Sequence, residues 1–155
     1  MLDVKLKLLS NTAKLPTYGS ENAACCDLYA DVKSMYPNDN EDHDKVYLGS
    51  GQTLKFRTGL AFELPKGYCG LIFARSGAAT KKGLRPANCV GVCDEDYRGE
   101  YIVALHNDSD EMQVIEHGDR IAQLAFVPYV QAEFQLVNNL SDTERGDGGF
   151  GHTGK

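Results

Sequence analysis

The sequence has no tryptophan, no surplus of positive charge and no run of the roughly 18 to 20 apolar residues that cross a bilayer as a helix. The missing apolar run excludes a helical membrane span. Sixteen Lys and Arg against 22 Asp and Glu leave a formal charge of −6, a field that on average repels nucleic acid and anionic membrane surfaces. Neither partner is expected, and an anionic ligand has to be met by a local set of donors. Residues 1–9 lack the apolar stretch and small-residue cleavage site of a secretory signal. Five cysteines, two adjacent at Cys25 and Cys26, do not make a disulfide framework. Reduced thiols and a cytoplasmic location are therefore expected, the host cytoplasm if the protein is viral. Cys89 and Cys93 have no further His or Cys group at zinc-site spacing, so they read as small apolar strand residues and no structural metal is assigned.

What is present is one domain's worth of chain: 155 residues, 42% apolar and 25% charged. Val4, Leu6 and Leu8 alternate with Lys5 and Lys7, the period of a half-buried strand. Short apolar runs at 53–56, 59–63, 68–73, 101–107 and 113–115 are separated by Gly, Pro, Asn and Asp, the pattern of an all-β sandwich or barrel. A short helix over 75–82, capped by Ser76, follows the strand ending at Phe73. Residues 33–51 carry Pro37 and clustered Asn and acidic residues and read as an exposed loop or hairpin excursion inserted into a single β domain spanning 1–140. Residues 141–155 form a glycine-rich tail with Phe150 as its one aromatic, too entropic to fold alone.

Three stretches carry chemistry. Arg145 to Gly154 combines a guanidinium, hydroxyl and glycines whose amides can approach an anion, yet it lacks the Gly-Lys-Ser/Thr of a P-loop and fits a closing arm better. Ala74-Arg75-Ser76-Gly77 places a cation and a hydroxyl at a strand end. Asp94 to Gly99 packs three carboxylates, a phenol and a cation between apolar stretches 88–92 and 101–105, and reads either as a solvated hairpin turn or as a site in which Asp94 is a partly buried base.

In order, five segments resemble the five motifs of the trimeric dUTPases: Ala23 to Ala30, Ala74 to Gly77, Asn88 to Glu100, Gly118 to Leu124 and Arg145 to Gly154. The resemblance covers most of the chain, and the third and fifth motifs are specific. It implies a jelly-roll homotrimer whose sites are assembled from more than one subunit, with the arm closing over a neighbour. It further implies hydrolysis of dUTP to dUMP and pyrophosphate, which limits uracil incorporation into DNA and supplies dUMP for dTMP synthesis. By the same resemblance Asp94 deprotonates a water that attacks the α-phosphorus. Asn88, Gly91 and Val92 border the uracil, Tyr97 packs under the deoxyribose, and Arg75, Ser76, Gly77, Gln123, Arg145 and Thr153 meet the phosphates. Phe150 stacks over the uracil when the arm closes, and the fifth-motif amides, with Gly149 and Gly151 as substrate-binding positions, join in meeting the phosphates. Mg²⁺ bridges the triphosphate oxygens, with Asp27 near its waters.

The chain departs from the pattern at His152, where Ser is common, which makes an imidazole a candidate phosphate contact. Cys25-Cys26 stands where Gly and an aromatic or Ala are usual. A dCTP deaminase of the same superfamily is the nearest competing reading, and Asp94, Tyr97 and the arm favour the hydrolase. A nucleotide-sequestering or regulatory protein is the other, and the acidic 33–51 loop is where a second protein partner would bind.

Overall fold

A computed structural model describes residues 2–36 and 43–149. Twelve strands and one short helix surround one core: β1 (Lys5–Leu8), β2 (Thr17–Tyr18), β3 (Cys26–Tyr29), β4 (Lys45–Leu48), β5 (Thr53–Phe56), β6 (Leu60–Glu63), β7 (Tyr68–Phe73), α1 (Ser76–Lys82), β8 (Leu84–Pro86), β9 (Gly91–Cys93), β10 (Val103–Asn107), β11 (Gln113–Glu116) and β12 (Arg120–Pro128). They form four antiparallel sheets in the orders β1-β6, β5-β10-β8, β11-β4 and β2-β3-β12-β7-β9. This is the expected all-β architecture.

The core follows from alternation. Val103, Leu105 and Asn107 of β10 point inward, and Phe56, Leu28, Leu48, Leu60 and Leu124 join them with no exposed surface. Each such side chain contributes about 1.5–3 kcal/mol relative to leaving it in water. The buried Asn107 satisfies its amide on the carbonyls of Leu48 (3.0 Å) and Glu111 (2.7 Å), as an interior polar group must. Helix α1 covers the expected residues and stops at Gly83, which adopts the left-handed conformation (φ 64°) that glycine tolerates. Its N-cap is Arg75 rather than Ser76, and no side chain caps it, because Ser76 is already the first helical residue.

Three expectations are corrected. The 33–51 stretch is not wholly an exposed loop: a 3-10 turn (Val32–Met35) opens it, and β4 lies inside it with Val46 and Leu48 buried against β11. Stretches 88–92 and 101–105 do not form a hairpin, since β9 pairs with β7 while β10 pairs with β5 and β8, so 94–100 crosses between sheets. Cys89 is not a strand residue; it is exposed, with φ 62°. All five thiols are free, as expected.

Asp31, 1% exposed, accepts hydrogen bonds from Ser10 (2.5 Å) and Thr12 (2.6 Å) and lies 3.7 Å from His117. Burial alone would raise its pKa, but these hydroxyls, Ser34 and His117 outweigh it and hold the carboxyl below its ordinary range. A carboxylate with a depressed folded pKa stabilises the fold above its unfolded pKa of about 3.9, and that stability is lost as pH falls through the folded value. The stability gap between wild type and Asp31→Asn in urea should therefore be full near neutrality and shrink below about pH 4. A gap that stays constant through that range would contradict this role.

Candidate active site

The five-stranded sheet aligns the sequence motifs by register. Gln123 of β12 pairs with Asp27 of β3 on one side and with Phe73 of β7 on the other. Ile72, next along β7, pairs with Gly91 of β9. The first, second, fourth and start of the third motif thus meet along one band of backbone.

Asp27 is the electrostatic centre of this band. It is 9% exposed, and its two oxygens hold two cations, Arg75 Nε at 2.7 Å and Arg120 Nη1 at 3.3 Å. A register shift between Arg120 and Ala122 marks a bulge, a device that re-aims a side chain beside a site. Two guanidiniums against one carboxylate leave a net positive charge, with both forks held in place. Gln123 Nε2 donates to the Ala74 carbonyl (2.9 Å), fixing the strand end from which Arg75 emerges. Ser76 and Gly77 follow and are exposed. Arg120 was not singled out from the sequence; the signal available was a cation inside the fourth motif, at the start of a strand.

The third motif begins in a strained turn. Cys89 in the left-handed region is unusual for a side chain of its kind, and such strain gathers at binding sites. Asn88 is exposed, and its amide nitrogen lies beside Gly91, which is buried against Ile72. Val92 is 63% exposed, which leaves an apolar surface open next to Asn88.

Asp94 is exposed, which corrects the expectation of partial burial. It follows β9, an edge strand of its sheet. It lines a cleft of about 530 Å³ with Cys69, Val92, Glu95, Asp96, Tyr129 and Gln131. Tyr97 stacks on Tyr101 (centroids 6.1 Å apart) and donates to the Glu100 carbonyl (3.1 Å). A Cβ at Gly99 would collide with the Tyr97 hydroxyl, so glycine is required there for this tyrosine pose.

The two halves do not meet within one chain. Because β7 and β9 are antiparallel, with Cys93 opposite Gly70, Asp94 lies level with Cys69, six residues from Arg75 along β7. At about 3.3–3.4 Å per residue, that is roughly 20 Å. The fifth motif stands apart as well. Arg145 Nε donates to Gly148 O (2.8 Å) within its own turn, and residues 131–149 are exposed except for Gly148. Gly149 is exposed, while Phe150, Gly151, His152 and Thr153 lie outside the described residues.

Among the described residues there is no group of three or more His, Cys, Asp or Glu placed to hold a metal, and no helix long and apolar enough to cross a membrane. Each Asp27 oxygen accepts one guanidinium hydrogen bond and keeps a lone pair that can accept from a metal-bound water. The donors present thus fit a hard cation held chiefly by a ligand's phosphates.

The dUTPase family model matches residues 11–154. The chain is 45% identical over 159 residues to the deoxyuridine 5'-triphosphate nucleotidohydrolase of Desulfitobacterium hafniense, covering 99% of each, and 41% identical over 160 residues to that of Actinobacillus pleuropneumoniae, covering 100% of this chain and 99% of the other. The dUTPase of Staphylococcus bacteriophage 80alpha, solved with dUpNHpp, superposes with a TM-score of 0.83 at 26% identity and 99% coverage of both chains. The fold, the motif order and these relatives together place the chain in the dUTPase family.

Proposed function

We propose that this chain hydrolyses dUTP to dUMP and pyrophosphate, in a homotrimer whose sites combine residues of different chains. The observation that carries the reading is the roughly 20 Å between Arg75 and Asp94, too far for one chain to grip a triphosphate and deprotonate the attacking water. A neighbour that brings its Asp94 end to the Arg75 end of this chain completes the site. Exposed Phe134 (95%), Leu136 (100%) and Leu140 (87%) support such an assembly, because they form an apolar segment that a neighbour can cover. The phage 80alpha relative holding dUpNHpp, an imido analogue of dUTP, supports the substrate.

In this reading Asn88 and the backbone around Gly91 and Val92 receive the uracil, and Tyr97 fills the space a 2′-hydroxyl would need. Arg75, Ser76, Gly77 and Gln123 bind the phosphates, and Arg120, held on the same carboxylate as Arg75, adds charge. Asp94 accepts the proton of the water that attacks the α-phosphorus; a positioned general base is worth about 10²–10⁴-fold. Asp27 would hold the waters of a Mg²⁺ bound with the triphosphate, and that ion would supply neutralisation of phosphate charge. Arg145, Gly149, Phe150, Gly151, His152 and Thr153 close the site from the arm. Residues 1–140 act as the domain and 141–155 as the arm; the last strand among the described residues ends at Pro128, so a strand-free stretch of the domain leads into the arm. Five free cysteines support a reducing, cytoplasmic setting.

Pyrophosphate release with Mg²⁺ across dUTP, dCTP, dTTP and UTP tests the assignment. Turnover of dUTP should exceed each of the others by on the order of 100-fold or more, since base edge, 5-position and 2′-position are all read. Comparable release from all four would remove the uracil and deoxyribose assignments, and ammonia from dCTP would move the chain to the deaminases.

A further inference from the structure

We infer that Glu95 is a positioning residue for Asp94, holding the turn that carries it to the root of the carboxy-terminal segment. The inference rests on the reading of Asp94 as the base. The Glu95 carboxylate accepts the Gly67 amide hydrogen (2.5 Å), reaching across to the turn between β6 and β7. The Gly67 carbonyl in turn accepts the Tyr129 amide hydrogen (3.0 Å). The Tyr129 phenol lines the same cleft as the Glu95 carboxylate, which raises the phenol's pKa, while the carboxyl's own is lowered chiefly by the Gly67 amide. Two hydrogen bonds thus join three segments far apart in sequence through Gly67, beside the cleft that Asp94 lines.

The turn needs such a tie. Its far end is anchored, since the Glu100 carboxylate accepts from Arg57 Nε (2.9 Å) and from the Gly59 amide (2.7 Å). Nearer Asp94 the other hydrogen bonds among the described residues are local: Tyr97 N–H to the Asp94 carbonyl (3.2 Å), Arg98 to the Glu95 carbonyl (2.6 Å) and Tyr97 to the Glu100 carbonyl (3.1 Å). They shape the turn without holding its Asp94 end, which is the end Glu95 ties. Tyr129 immediately follows β12 and opens the segment that leads to Arg145. The base and the segment leaving β12 are therefore both referenced to the same β6–β7 turn, which is how a catalytic group gains fixed geometry from its surroundings.

The test compares Glu95→Ala, Glu95→Gln, Tyr129→Phe and Asp94→Asn in the full-length protein, with kcat and KM for dUTP measured well below each variant's Tm. Glu95→Ala should lose on the order of 10- to 100-fold in kcat with little change in KM, as expected of a small misplacement. Glu95→Gln keeps an acceptor for Gly67 and should recover most of it. Full kcat in Glu95→Ala, or a Gln variant as impaired as the Ala one, would overturn the inference. If Glu95→Ala does not fold, Tyr129→Phe decides: removing the hydroxyl that faces the Glu95 carboxylate should lower kcat several-fold at unchanged Tm, and parental kcat overturns the inference. An inactive Asp94→Asn beside an active Glu95→Ala defeats this inference alone, whereas an active Asp94→Asn defeats the base assignment itself.

Discussion

Asp94→Asn should release pyrophosphate from dUTP about 10²–10⁴-fold more slowly than the parent protein while still binding dUpNHpp. Asn keeps the size and polarity of Asp but cannot take a proton from water at neutral pH. The side chain is exposed at the end of an edge strand and supports no core packing, so Tm should not move. Loss of rate with folding and analogue binding intact would separate chemistry from structure. Turnover within a few-fold of the parent would remove Asp94 as the base.

The second large effect is expected from removing the arm. A chain ending at Glu144 lacks Arg145 and the aromatic Phe150, and with them the phosphate cation and the base-stacking contact, worth roughly 1–3 kcal/mol, that are proposed for the arm. Turnover should fall on the order of 100-fold or more, since the open site also admits bulk water. The oligomer's size and Tm should be unchanged, because the described residues 145–149 are almost wholly exposed and add nothing to the core. Full activity in the truncated chain would mean that the tail is not a closing arm. Collapse to monomers would mean that it is an assembly element instead.

How legible these features were in the sequence depended on local physics. Strands with one face in the core, such as β10, betray themselves by alternation, and the helix after Phe73 was visible from its composition. Strand β12 was not. It lies between β3 and β7, with Ile121 and Ala122 both buried around a bulge, so no period of two survives. Strand β4 was hidden because four residues between acidic and glycine-rich stretches are too few to outweigh their flanks. In the site, Asp94, Tyr97 and the Arg75 segment stood out through motif spacing. Their division into two remote clusters could not be read, because it follows from which strand of a pair runs which way. The double hold of Asp27 on Arg75 and Arg120 was likewise invisible, since it depends on β3 and β12 becoming neighbours across 93 positions of sequence. Glu95 reads from the sequence as structural support beside Asp94, and what it ties to, the β6–β7 turn, is set by the fold alone.

The central claim is that water attacks the α-phosphorus of dUTP, and the oxygen atom itself reports on it. When the protein turns over dUTP with Mg²⁺ in ¹⁸O-labelled water, mass spectrometry should find one labelled oxygen in dUMP and none in pyrophosphate. Label in pyrophosphate would place the attack on the β-phosphorus and contradict the account.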